Sequence, residues 1–209
     1  MSPATATAET AVVSRQHRRR ARTRAELLAA AKRLLAEKGF HGTKIADIAA
    51  TADVGTGTFY LHFPTKDALF SDLVRETALR AREEIDRAKA AVSDPRDQAR
   101  AATATLFRFA DSNRDVFKIL FGHGAQFNEL LHEVHQLFIV ETEENQARGI
   151  AAGAFKPFRP AIVAQAVVGM VSQVVSWWLE HDDIAIEEIT DTVTRMLQEG
   201  IAIKESFHE

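Results

Sequence analysis

The run TKIADIAATADVGTGTFYLHFPTKDALF, residues 43–70, constrains this chain more than any other segment. Ile45, Ile48 and Ala49 recur at helical spacing behind Thr43, which can cap a helix. A turn at Asp53, Val54 and Gly55 follows, then a short helix that must stop before Pro64, because the residue ahead of a proline avoids helical geometry. Two short helices about a tight turn form a helix-turn-helix, whose second helix enters the DNA major groove.

The composition of the second helix suits that use. Gly55, Thr56, Gly57 and Thr58 supply small residues where a backbone nears DNA and hydroxyls where phosphates lie. Phe59 and Phe63 face inward, Tyr60 and His62 project donors from the other side, and Lys66 at the next helix start is a further phosphate contact. The glycines do not form a nucleotide-binding P-loop, since no Gly-Lys-Ser/Thr ending follows.

The flanking sequence extends this into a small domain. Leu27, Leu28, Ala31, Leu34 and Leu35 mark a preceding helix, expected to start at a Thr23/Glu26 capping box and to end at Gly39. Phe40 plugs the core, and Thr65 caps a fourth helix in which Leu69, Phe70, Leu73 and Val74 pack back. Residues 1–22 are expected to be a disordered basic arm, small and polar at first and then carrying Arg15, Arg18, Arg19, Arg20 and Arg22. The domains expected are therefore the arm, a DNA-binding domain over residues 23–70, and a helical body over residues 71–209.

Charge divides the same way. Residues 1–70 hold 11 Lys/Arg against 6 Asp/Glu, whereas residues 71–209 hold 15 against 23. A basic head on an acidic body suits a head that meets polyphosphate while the body stays off it. The chain has no cysteine, which excludes disulfides and thiolate metal sites and is compatible with a cytoplasmic location. No apolar run follows the N-terminal charges, so no signal peptide is expected. Twenty uncharged residues, 160–179, approach the length of a bilayer span. Their Gln165, Ser172, Gln173 and Ser176 favour instead a soluble helix buried on nearly all sides, and no membrane partner.

Residues 23–70 resemble the TetR family of tetracycline-repressor-like transcriptional regulators. The match lies in AEKGFHGTKIADIA, in GTFYLHF and in the TKDALF that follows. The resemblance implies phosphate contacts at Thr43, Tyr60, His62 and Lys66, with Gly55, Thr56 and Thr58 near base edges or backbone and Gly57 allowing close approach. The family usually has Ala-Gly-Val-Ser in the turn, where this chain has Ala52-Asp53-Val54-Gly55. Asp can take the left-handed turn geometry, but the Ser hydroxyl and its contact are lost at Gly55.

The resemblance also implies an all-α protein whose C-terminal domain forms a homodimer through its last two helices and binds a small effector. Body helices are expected at about 95–111, 114–122, 125–149, 159–181 and 185–205. The last carries an apolar stripe of Ile186, Ile189, Val193, Met196, Leu197 and Gly200. Its partner, residues 161–179, mixes Ala, Gly169 and Ser with large apolar residues, so that two such helices per subunit can form a four-helix bundle. Phenylalanines on several segments, with polar residues set among apolar ones, suggest an apolar pocket. Its expected residues are Phe107, Phe121, His135, Phe138, Met170, Gln173 and Trp177.

The function expected is that of a ligand-responsive repressor, binding a palindromic operator as a dimer and released by a small hydrophobic effector such as a drug-like molecule or acyl chain. No cofactor and no enzymatic activity are expected. One alternative is a constitutive architectural or division-linked DNA-binding dimer without inducer. Another is a metal sensor or enzyme using His132 and His135, with Glu129 and His123 nearby, although the H-E-V-H sequence fails the H-E-x-x-H signature.

Overall fold

The computed structural model describes residues 3–122, 124–181 and 183–201, with side chains from residue 16 onward apart from 124 and 125. The described residues form nine α-helices and no strand. The helices are α1 (Pro3–Gly42), α2 (Ile45–Thr51), α3 (Thr56–His62), α4 (Lys66–Ala90) and α5 (Pro95–Ser112), then α6 (Arg114–Gly122), α7 (Asn128–Ala151), α8 (Pro160–Trp178) and α9 (Ile186–Ile201). A 3-10 turn, Gly124–Phe127, precedes α7. The chain divides into two compact units, Met1–Leu73 and Val74–Glu209, and the division falls inside α4.

The first unit is built on α1, α2, α3 and the start of α4. Leu27, Leu28, Ala31, Leu34 and Leu35 of α1 are buried together with Phe40, Ile48, Phe59, Phe63, Leu69 and Phe70. Gly39 takes a positive φ of 67° and breaks the helix there, and Asp53 takes a φ of 54° in the turn between α2 and α3. Thr65 caps α4, its Oγ1 accepting from the amide of Ala68 at 3.0 Å.

Two expectations about this unit are corrected. α1 does not begin at Thr23, because helix is continuous from Pro3 through the stretch expected to be a disordered arm. Ala, Arg and Gln are strong helix formers, and Arg22 pairs with Glu26 one turn on at 2.8 Å, taking the carboxylate assigned to a capping box. Thr43 does not cap α2 either. The residue before α2 is Lys44, with no side-chain cap. Thr43 is 1% exposed, and its Oγ1 donates inward, 2.7 Å from the carbonyl of Gly39 and 3.1 Å from that of Leu34.

In the second unit α7 packs on α8 and α5 on α9. Asp94 caps α5 by accepting from the Arg96 amide at 2.7 Å, with Pro95 in the first turn. A core of Phe107, Ala110, Val171, Val175, Trp178, Leu179, Ile189 and Val193 joins α5, α8 and α9. α7 ends in a turn through Gly153 (φ 71°) that folds Phe155 back onto Gly149, where the amides of Ala154 and Phe155 both donate to the Gly149 carbonyl.

α8 is long and apolar enough to cross a bilayer by length and composition, yet only 28% of it is buried, which corrects the expectation of burial on nearly all sides. Val163, Ala164, Val171, Val175 and Trp178 face the core. Ile162, Ala166, Gly169, Gln173 and Trp177 form an exposed stripe along the opposite side.

Candidate functional site

Two sites emerge, one in each unit. In the first, α3 lies over the head core through Phe59 and Phe63, which are 0% and 1% exposed. This burial turns Thr56, Gly57, Tyr60 and Leu61 outward at i, i+1, i+4 and i+5, on one face. Tyr60 is 54% and Leu61 72% exposed. Gly55 and Gly57 have open space where a Cβ would stand, while Thr58 is half-buried. Leu61 was not anticipated, although its place on the Gly57/Tyr60 face follows from helical spacing alone.

α1 adds cations to the end of α3. Arg20 reaches the Leu61 carbonyl at 3.4 Å, and Arg24 stands over the Phe63 ring at 5.3 Å while pairing with Asp72 at 2.7 Å. His62 lies among them. Its burial first, and then the charges of Arg20 and Arg24, hold its imidazole below the usual histidine pKa, so that it is neutral at pH 7.

Thr43 and Lys66 are not on this surface face in the way expected of phosphate contacts. Thr43 is enclosed, as described above. Lys66 directs its Nζ inward, donating to the carbonyls of Phe40 at 2.6 Å and Thr43 at 3.0 Å, over the Phe40 ring at 4.2 Å. Both residues fasten the corner between α1, α2 and α4. Desolvation accordingly lowers the Lys66 pKa.

The second site is a cavity of about 150 Å³ among α4, α5, α6, α7 and α8. Val74, Ala78, Ala81 and Ile85 of α4 face it, as do Leu106, Phe117, Leu120 and Phe121 of α5 and α6, and Val167, Val171 and Val175 of α8. α7 contributes one continuous stripe, Leu131, Val134, His135, Phe138, Glu141, Thr142 and Asn145. His135 Nε2 and Ser172 Oγ are 2.8 Å apart across the cavity wall. Burial, with a smaller contribution from His132, lowers the His135 pKa and keeps the ring neutral.

Ion pairs link α4 to α7 on either side of this lining. Arg75 and Glu133 make a two-pronged pair at 2.8 and 2.9 Å, which lowers the Glu133 pKa. Farther along, Lys89 meets Glu141 at 2.5 Å with Arg82 3.5 Å from the same carboxylate.

Of the expected pocket residues, Phe121, His135 and Phe138 line the cavity. Phe107 is instead fully buried in the α5–α8–α9 core. Met170 faces a separate groove with Phe158, Ile162 and Met196. Gln173 is exposed, and Trp177 stacks on His181 at the surface. A shift of one residue along α8 rotates a side chain by about 100°, and so separates Trp177 from the buried Trp178. Glu141, Thr142, Asn145 and Ser172 were missed, though the i, i+3, i+4 stripe from Leu131 through Phe138 reaches the first three when extended. His132 is exposed whereas His135 is half-buried, and no group of three potential metal ligands occurs among the described residues. His123 lies outside them.

Residues 27–73 match the bacterial regulatory proteins of the tetR family, and residues 92–201 match the tetracyclin repressor-like C-terminal domain. The chain belongs to the TetR family. It is thus a DNA-binding transcriptional regulator with a helix-turn-helix head and a ligand-binding body. An HTH-type transcriptional regulator of Bacillus subtilis, YdgC, itself uncharacterized, is 24% identical over 85% of this chain and 94% of its own length. The nucleoid occlusion factor SlmA of Vibrio campbellii is 29% identical over 75% of this chain and 83% of its own. The TetR fold is shared with FadR of Bacillus subtilis in complex with stearoyl-CoA, at a TM-score of 0.73 and 18% identity over 84% of this chain and 97% of that one.

Proposed function

We propose that this TetR-family regulator is a homodimeric repressor that reads a palindromic operator and is released when a small apolar effector enters the body cavity. The observation that carries the DNA half is the outward face of α3. Thr56, Gly57, Tyr60 and Leu61 stand clear of a packed core, with Thr58 beside them and the Arg20/Arg24/His62 corner next to the helix end. Tyr60 and His62 then contact backbone phosphates, Thr56 reads a base edge, and Leu61 suits a thymine methyl group.

The exposed stripe of α8 supports the dimer. Ile162, Ala166, Gly169 and Trp177 are too apolar for an isolated surface, and the small residues among them admit a second helix closely. A second copy of the chain is the occupant, through α8 and α9, as expected from the family. Release follows if the effector favours a body conformation whose paired heads no longer fit two half-sites.

Selection of random duplexes by the full-length protein tests this. The expected result is an enriched palindrome whose affinity falls steeply with salt, and which a cavity ligand displaces. Enrichment of no palindrome, or an affinity indifferent to salt, defeats it. The SlmA relatives favour a second reading, a constitutive DNA-binding dimer with a structural role. In that case ligands that occupy the cavity leave operator affinity unchanged.

A further inference from the structure

Several cations of the head are already engaged. Lys66 is turned inward, Arg24 pairs with Asp72 at 2.7 Å, and Lys38 stands 3.6 Å from Asp47. Arg18, Arg19 and Arg20 differ. They are exposed, on the part of α1 that precedes Leu27, its first buried residue among those described. Arg22 pairs with Glu26, whereas neither Arg18 nor Arg19 has a carboxylate partner among the described residues.

Arg20 fixes where this segment lies. Its guanidinium reaches the Leu61 carbonyl at 3.4 Å, so α1 passes the C-terminal end of α3. Arg24, one turn on, faces the same way, towards Phe63 and Asp72. Two residues of α-helix turn a side chain by about 200°, so Arg18 stands on the side of α1 opposite Arg20, with Arg19 between them. A major groove is ~12 Å wide and a helix with its side chains ~10–12 Å across, so a helix seated there has phosphates close on both sides. A segment crossing the end of α3 meets one of those strands, and cations turned away from α3 face the duplex beyond it.

Helical structure also decides what these arginines can read. The minor groove is ~6 Å wide, about half the diameter of a helix, and α1 is helical from Pro3 onward. Such a segment cannot thread that groove as an extended arm would, and contacts to phosphate carry no sequence information. Resting on the operator reading above, we propose that Arg18 and Arg19 bind backbone phosphates flanking each half-site, outside the base pairs that α3 reads. The N-terminal extension of α1 thus lengthens the footprint without adding specificity.

The test titrates full-length protein and the Arg18→Gln/Arg19→Gln variant by fluorescence anisotropy against two duplexes. One ends at the selected palindrome, and the other carries about one helical turn of further DNA on each side. On the long duplex the variant is expected to lose about two phosphate contacts from its salt slope, so that its affinity falls ~tenfold less than that of the unaltered protein between about 50 and 200 mM salt. On the short duplex the two proteins are expected to match. Arg18→Lys/Arg19→Lys should keep the full slope, because a point charge suffices at a phosphate. Exchanging A·T for G·C in the flanks should change nothing. An unchanged slope in the Gln variant, or an equal loss on both duplexes, overturns the proposal. So does an A·T preference in the flanks that the variant abolishes, which would place the arginines in the minor groove. If selection enriches no palindrome, the operator reading falls first; a salt slope on random duplex that the Gln variant leaves unchanged then removes this one too.

Discussion

The hydroxyl of Thr43 lies within hydrogen-bond reach of two carbonyls, of Leu34 and Gly39, at the point where α1 breaks. Replacing Thr43 with Val keeps the shape and removes the donor, leaving buried acceptors that cost about 1–3 kcal/mol. Chemical denaturation is expected to register that loss. Operator affinity, measured well below the melting point, is expected to hold; a weakened affinity without lost stability would return Thr43 to the DNA surface. His135 makes a second prediction at this scale. Its folded pKa lies below the ordinary 6.5, so below that pH the unfolded chain binds more protons than the folded one. Stability is therefore complete above pH 6.5 and declines as the pH falls through the folded pKa. The melting temperature is expected to drop between pH 7.5 and 5.5, and His135→Gln to shrink that drop. An identical drop in the variant would assign the effect to other groups.

At the scale of the elements, the end of α7 leaves no room for added volume at Gly149. A Cβ built on Gly149 would overlap the Phe155 ring, which the turn at Gly153 has folded against it. Gly149→Ala is expected to cost ~1–3 kcal/mol by overpacking, seen as a lower denaturation midpoint. Phe155→Leu in the same chain should recover part of it; no recovery would place the strain elsewhere. The helices themselves were largely legible in the sequence, because local chemistry decides them. Asp94 and Pro95 announce α5, Gly39 marks the break in α1, and Asp53 takes the left-handed turn that its short side chain allows. The start of α1 was not legible from apolar spacing, since the arginine-rich segment is helical through propensity and ion pairs rather than burial. The site was legible only in part. α3's outward face follows from Phe59 and Phe63, whereas the inward turn of Thr43 and Lys66 depends on carbonyls brought near by tertiary structure. Likewise, neither Trp177 nor Trp178 declares in sequence which of them faces the core.

At the scale of the whole molecule, the proposed reading makes DNA recognition depend on the pairing of two copies. Gly169 is exposed in the α8 stripe, with nothing near the position of a Cβ, so that a larger side chain there leaves the protomer undisturbed. Gly169→Arg is expected to yield a folded monomer by sedimentation, with an unchanged helical spectrum. Its operator affinity should fall by ~10²-fold or more, because linking two heads makes the second binding event intramolecular. A variant that remains dimeric would move the interface off this stripe.

Lys66 belongs to the first turn of α4, yet its ammonium holds two carbonyls, that of Phe40 near the end of α1 and that of Thr43 between α1 and α2. The consequence is mechanical. Within the head, one amine at the start of α4 holds the end of α1 and the residue before the α2 cap, and α3 is packed on the same core by Phe59 and Phe63.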